Sequence, residues 1–270
     1  MPMNVVLGLF GLRKDCPLPV RMVAGGICVG ILVLVWFIVT AGRPEDRIVS
    51  IALLGSPSET LDSFKELWFD KALARNMVVS LVRLIEGFGL AALIGVPLGV
   101  TCGTWPVVNA LLAPVSVFGR NVPMTAMVPL TMLWFGTDES QKVMFIFIAC
   151  VMFIVFDSGR AVAGVAEQYV QTGLTLGATK AQVVFKILVP LALPAIFGSL
   201  RLLFGLAFGY IIVAEMVNQK DGIGALILNA QRLGPKEHVY LALIAITLVA
   251  YGVDRLLYFT ERALFPYREP

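Results

Sequence analysis

Two groups of residues stand out for what their types and spacing could do. The first is the run Gln171-Thr172-Gly173-Leu174-Thr175-Leu176-Gly177-Ala178-Thr179-Lys180, followed by Ile187-Leu188-Val189-Pro190 and Leu193-Pro194, which lies between two long apolar blocks. Its chemistry is mechanical. Val165 to Leu176 has the spacing of a short amphipathic helix, Gly177 gives the backbone freedom for a sharp turn, and Thr179 can cap a second helix. Pro190 and Pro194 are expected to end that second helix before the next apolar block begins. The spacing therefore predicts a compact helix-turn-helix knob.

The second group consists of ionisable and polar residues set within or beside apolar sequence, where an unpaired charge is costly. Arg120, Asn121, Pro123, Met124, Thr125 and Met127 fall where prolines interrupt an apolar stretch. Backbone groups freed there need protein partners or a water-filled cavity. Two readings stand: a solute path in which Arg120 suits an anion, and helix packing in which Arg120 snorkels or pairs with a carboxylate. Glu215, near the end of a later apolar block, reads either as a gate or as half of a structural pair. Arg83 and Glu86 share a helix face and can pair with each other. Asp157 and Arg160 read as a brace for the knob, and His238, beside Glu237 in a polar stretch, as a solvated surface residue.

No catalytic residue is assigned. The apolar blocks hold no Ser/His or paired-aspartate arrangement, and no Gly-x4-Gly-Lys-Ser/Thr phosphate cradle occurs, since Gly173 to Lys180 has the wrong spacing. Cys16, Cys28, Cys102 and Cys150 lack the paired spacing of a zinc or redox site and read as small hydrophobes. No metal or cofactor is expected in this chain.

Helices in a membrane must position these residues. With 58% hydrophobic and 14% charged residues over 270, the chain carries more apolar surface than one soluble core can hide. Its apolar blocks are long enough to cross about 30 Å of hydrocarbon as helices. They run from about Val20 to Ala41, Val78 to Cys102, Val107 to Phe135, Val143 to Phe156, Ala195 to Val217 and Val239 to Phe259. Pro114, Pro123 and Pro129 break the third. Gly87, Gly89, Ala91, Ala92, Gly95 and Gly99 on the second permit close helix approach. The polar stretch from Gly42 to Arg75 places Leu61, Phe64, Leu67, Trp68 and Lys71 near one helix face, which suits a surface helix or a lid on the bundle.

The prediction is an all-α polytopic membrane helical bundle of about six transmembrane helices in a single domain over 1–270, with its principal loop at about 158–194. The first block lacks a cleavage site and is read as a retained span. Arg13, Lys14 and Arg21 put the N-terminus in the cytoplasm, and six spans return the C-terminus there. The net charge of +3, without a basic run, argues against nucleic acid as a partner.

On these motifs the sequence resembles the permease subunits of ABC importers. The family's coupling loop reads Glu-Ala-Ala, three residues, Gly, nine residues, then Ile-x-Leu-Pro. Gly177, Ile187 and Pro190 fall at that spacing, while Gln171, Thr172 and Gly173 replace Glu-Ala-Ala and Val189 replaces Leu. From roughly Leu53 to Tyr267 the chain is similar to the branch importing nitrate, sulfonates, taurine and bicarbonate. There the resemblance is carried by Asn121-Val122-Pro123, Val128-Pro129-Leu130, Leu133-Trp134-Phe135-Gly136, Val213-Ala214-Glu215-Met216 and Asp221-Gly222-Ile223-Gly224.

The resemblance implies a type I importer fold in a bacterial inner membrane, and a pathway for a small solute, in this branch an anion such as nitrate, bicarbonate, a sulfonate or taurine. Its partners would be cytoplasmic ABC ATPase subunits that bind ATP and Mg, a periplasmic or lipid-anchored solute-binding protein, a second permease copy and membrane lipid. It implies that Gln171, Thr172, Gly173, Gly177, Ala178, Thr179, Ile187 and Pro190 meet the ATPase. The competing expectation is a stand-alone ion-coupled secondary transporter, which would show inverted repeats and several mid-membrane carboxylates.

Overall fold

The computed structural model describes residues 17–42, 47–49, 54–217 and 221–267, and every regular element among them is a helix. Contacts divide the chain into two compact units, 1–64 with 235–241 and 65–234 with 242–270.

In the first unit, α1 (Leu18–Val39) is apolar all round and its side chains are exposed, the pattern of a helix whose solvent is lipid. Trp36 Nε1–H donates to the Gly55 carbonyl at 3.0 Å. The short α2 (Pro57–Asp62) opens with a capping box. Ser56 Oγ accepts the Glu59 N–H at 3.2 Å, and the Glu59 carboxylate accepts the Ser56 N–H at 2.8 Å. The Arg47 guanidinium forks onto the same carboxylate at 2.9 and 3.1 Å. Arg47 first and the Ser56 N–H second hold the Glu59 carboxyl at about 2. His238 is 2% exposed, so it is a buried residue and not a solvated one.

The elements that follow are α3 (Phe64–Phe69), α4 (Leu73–Thr104), α5 (Pro106–Arg120), α6 (Met124–Phe135), α7 (Glu139–Ala163), α8 (Glu167–Thr175), α9 (Lys180–Val183), α10 (Val189–Glu215), α11 (Ile223–Leu233) and α12 (Glu237–Leu264). Five helices among the described residues are long and apolar enough to cross a membrane: α1, α4, α7, the continuous run Lys180–Glu215, and α12. The two shorter apolar helices α5 and α6 fill the interrupted third block. The surface helix expected over 61–71 is split at Ser63 into α2 and α3.

The centre of the second unit is the α4–α7 pair, which glycines bring together. A Cβ on Gly87 would stand 2.6 Å from the Val143 carbonyl oxygen, and one on Gly95 2.8 Å from Ile154 Cγ2. On Gly99 it would meet Ser158 Cβ at 2.5 Å, and on Gly103 the Gly159 carbonyl at 2.5 Å. Backbone approach this close is possible only where side chains stop at Cα. Gly89, which the sequence grouped with them, faces open space, and Gly103 takes its place in the stripe. Phe88, Phe204 and Phe208 then stack edge to face at 5.1 and 5.6 Å, tying α4 to α10.

Candidate functional site

The segment between α7 and α10 folds as a helical hairpin. Helix α8 ends with the Ala178 N–H on the Gly173 carbonyl (3.0 Å) and the Gly177 N–H on the Leu174 carbonyl (2.9 Å), with Gly177 at φ +82°. A Cβ at Gly177 would meet nothing within 4 Å, so its role is conformational. Thr179 caps α9 in a capping box. Its Oγ1 accepts the Gln182 N–H at 3.4 Å, and its own N–H donates to Gln182 Oε1 at 2.8 Å. The two arms close on Gly173, where a Cβ would stand 2.5 Å from Ile187 Cδ1. Val162, Ala192 and Ile196, with Val100, Val165 and Leu188, pack beneath.

The sequence expectation that Pro190 and Pro194 end the second arm is corrected: the helix runs unbroken from Lys180 to Glu215. Val184–Leu188 widen into a π turn, with the Val189 N–H on the Val184 carbonyl, and this shifts the hydrogen-bond ladder just ahead of Pro190. Pro194 would leave the Pro190 carbonyl without its helical donor. Tyr267 Oη–H donates to that carbonyl at 3.0 Å.

Of the residues assigned to the knob, Gln171, Thr172, Gly177 and Thr179 are exposed, Ala178, Ile187 and Pro190 are half-buried, and Gly173 is buried. Tyr169, Leu174, Leu176 and Phe185 are exposed apolar residues on the same hairpin, Leu176 at 82% and Phe185 at 72%. Sequence reasoning passed over these four. Once Gly173 and Ile187 are placed inside the hairpin, the arm residues turned away from them become the outer face, a signal readable from helical spacing.

The predicted break falls at Asn121-Val122-Pro123. Asn121 caps α5, its Nδ2–H donating to the Val117 carbonyl at 2.6 Å, and Pro123 starts α6. Met124 is buried, Met127 half-buried and Thr125 exposed. The Arg120 guanidinium lies 3.8 Å from the Phe156 ring centroid, and that of Arg160 lies 5.6 Å from it, within cation–π range. Among the described residues no ion pair within 4.0 Å joins Asp157 to Arg160, so the expected brace is absent in that form. A cleft of about 410 Å³ opens beside Phe156, lined by Cys102, Asn109, Ser116 and Arg160 among others.

Glu215 belongs to a different cluster, at the Glu139 end of α7. Glu139 and Phe156 stand about 25 Å apart along that helix at 1.5 Å per residue. Glu215 is fully buried; its carboxylate accepts from Ser80 Oγ, from Arg83 Nη1 at 2.7 Å and from the Gly224 N–H at 3.0 Å. Arg83 also forks onto Glu139 and donates to the Asp221 carbonyl at 3.0 Å. Its partners are therefore Glu139 and Glu215, and Glu86 is exposed to solvent or lipid. Ser80 Oγ accepts the Ile223 N–H and Asn76 Oδ1 the Gly222 N–H, so the start of α11 is held by side chains of α4 and α10. Lys142, in α7, is 1% exposed, with Nζ donating to the Asp138 carbonyl at 3.0 Å and to that of Thr137.

Comparison with known proteins places this architecture. The family model described as "Binding-protein-dependent transport system inner membrane component" matches residues 95–265. The taurine transport system permease protein TauC of Escherichia coli is 26% identical over 242 residues, 88% of this chain and 86% of its own. The bicarbonate transport system permease protein CmpB of Synechococcus elongatus is 32% identical over 194 residues, 72% and 70% of the two chains. A crystal structure of the MetNI methionine ABC transporter in an inward-facing conformation superposes with a TM-score of 0.65 at 20% identity, covering 74% of this chain and 98% of that one. The last match gives the fold, that of a type I importer. Capped hairpin, broken third span and family match agree: the chain belongs to the binding-protein-dependent inner membrane components, the multi-pass permease subunits of ABC importers, whose ATPase is a separate chain.

Proposed function

We propose that this permease carries a small oxyanion or sulfonate across the membrane, and that its α8–α9 hairpin is the part gripped by the ATPase. The observation that carries the reading is the hairpin itself: a closed, doubly capped unit that presents Tyr169, Leu174, Leu176 and Phe185 around the Gly177 turn. Exposed apolar residues clustered on a rigid polar loop suit a protein partner. ATP and Mg reside on that partner, and closure of the ATPases drives the permease only by favouring one arrangement of its helices over another.

The solute class rests on two supports. The relatives are named for taurine and for bicarbonate, and Arg120, on the Phe156 ring beside the α5–α6 break, supplies a positive charge at membrane depth. Asn121, Pro123, Met124, Thr125 and Met127 line the pathway on this reading, whereas Glu215 acts from the α11 cluster. A second permease copy completes the pathway, a solute-binding protein delivers to it, lipid surrounds it, and both termini lie in the cytoplasm.

The test is Gly177→Glu in the complex purified with its ATPase. We expect loss of ATPase co-purification and of ATP-driven uptake, measured with radiolabelled taurine and bicarbonate as probes. Retention of both would sink the reading.

A further inference from the structure

In a regular helix the Pro190 carbonyl accepts from the N–H four residues later. That residue is Pro194, which has none. The structure fills the vacancy from the C-terminal end of the chain, with Tyr267 Oη–H at 3.0 Å. Phe265 packs edge-on against both Phe197 (5.9 Å) and Tyr267 (6.0 Å). One turn further along α10, Arg201 forks onto Asp254 of α12 at 2.6 and 2.7 Å and reaches Glu261 at 3.6 Å. The C-terminal half of α12 and the segment after it are thus fastened to α10 at successive levels, α12 at Arg201 and the following residues at Phe197 and Pro190. The last of these lies directly against the π turn that joins α10 to the hairpin.

A π turn is where a helix most readily changes its hydrogen-bond register. We propose that Tyr267 is a positioning residue for the hairpin: its hydroxyl clamps the carbonyl that Pro194 strands, and so fixes the angle at which α9 meets α10. The proposal rests on the reading of the hairpin as the ATPase grip. Without the hydroxyl the hairpin would pivot at Val184–Leu188, and movement imposed by the ATPase would reach α10 only in part.

The experiment uses the permease–ATPase complex in nanodiscs, with amide hydrogen exchange read with and without ATP plus vanadate. Tyr267→Phe keeps the ring and removes the hydroxyl. It should raise exchange over 184–191 roughly fivefold, the size of one net hydrogen bond, shrink the ATP-induced change over 167–179, and leave 223–233 as in the parent. Pro194→Ala restores the missing N–H, so in that background Tyr267→Phe should add nothing. Unchanged exchange over 184–191 in Tyr267→Phe, or an equal effect of that change with and without Pro194→Ala, overturns the clamp. Gly177→Glu separates the two ideas. If it releases the ATPase while Tyr267→Phe is silent, the clamp alone fails; if it leaves the ATPase bound, the grip fails and the clamp with it.

Discussion

Ser80 joins Glu215 to the first turn of α11. Its single hydroxyl proton is shared between the two carboxylate oxygens, at 2.7 and 2.8 Å, while its oxygen accepts the Ile223 N–H at 2.9 Å. The geometry matters because Arg83, whose side chain is 4% exposed, meets a wholly buried counter-charge in Glu215 and a 68% exposed one in Glu139 among the described residues.

Removing the two carboxylates should therefore have unequal effects. Glu215→Ala leaves a buried guanidinium short of its buried partner and is expected to cost about 3–5 kcal/mol. Glu139→Ala removes a largely exposed partner and should cost about 1 kcal/mol or less. Thermal unfolding of the two variants in the same detergent checks the order. Equal losses would refute the assignment of Glu215 as the main counter-charge.

Gly222 combines φ +111° with a Cβ position inside the Glu215 carboxylate group. Gly136 has φ +75° and open space around it. Gly136→Ala should cost only the backbone strain, about 1–3 kcal/mol for its φ +75°, ψ −157°. Gly222→Ala should cost more, since it also displaces the carboxylate from Arg83 and Ser80. The comparison is made by unfolding and by hydrogen exchange at the α11 amides 223–226, which only the Gly222 variant should accelerate.

The contact between Gly173 and Ile187 predicts a size threshold in the hairpin. Ile187 Cδ1 is the movable end of its side chain, so Gly173→Ala should be accommodated and raise helix propensity in α8 by roughly 1 kcal/mol. Gly173→Phe cannot fit between the arms and should spread them. ATPase co-purification with both variants is the measurement, with retention for alanine and loss for phenylalanine as the expected result.

Glu59 predicts a pH effect whose sign follows from its depressed carboxyl. The folded form holds it at about 2 against an ordinary 4.5. The stability from the Arg47–Glu59–Ser56 arrangement is therefore fully present above pH 4.5 and is lost as pH falls toward 2. Protection factors at the α2 amides, each exchange rate taken relative to the intrinsic rate at the same pH, should fall as the pH is lowered across that window, and Glu59→Gln should abolish the dependence. A flat profile in the parent protein would contradict the ion pair.

The broken third span, the Gly177 turn and the Thr179 cap were legible in sequence because each rests on a local rule: a proline's missing donor, a glycine's positive φ, a hydroxyl before a helix. The partners of Arg83 were not. Glu86 lies three residues away, but Glu139 and Glu215 lie 56 and 132 residues away, and only tertiary packing could select them. The unbroken helix through Pro190 and Pro194 was hidden for a similar reason. Its tolerance depends on a π turn and on a tyrosine 77 residues downstream, neither of which the local pattern around the prolines reveals. His238 likewise shows that polarity in a loop-like stretch does not fix exposure.

The glycine stripe from Gly87 to Gly103 has a kinematic consequence. Two helices locked backbone to backbone over seventeen residues cannot slide or twist independently, because every row of the stripe would collide at once. Helices α4 and α7 must then travel as one strut, and any switching of this permease has to be taken up where the helices are interrupted: the Asn121–Pro123 break, the positive-φ Gly136 and the π turn below the hairpin.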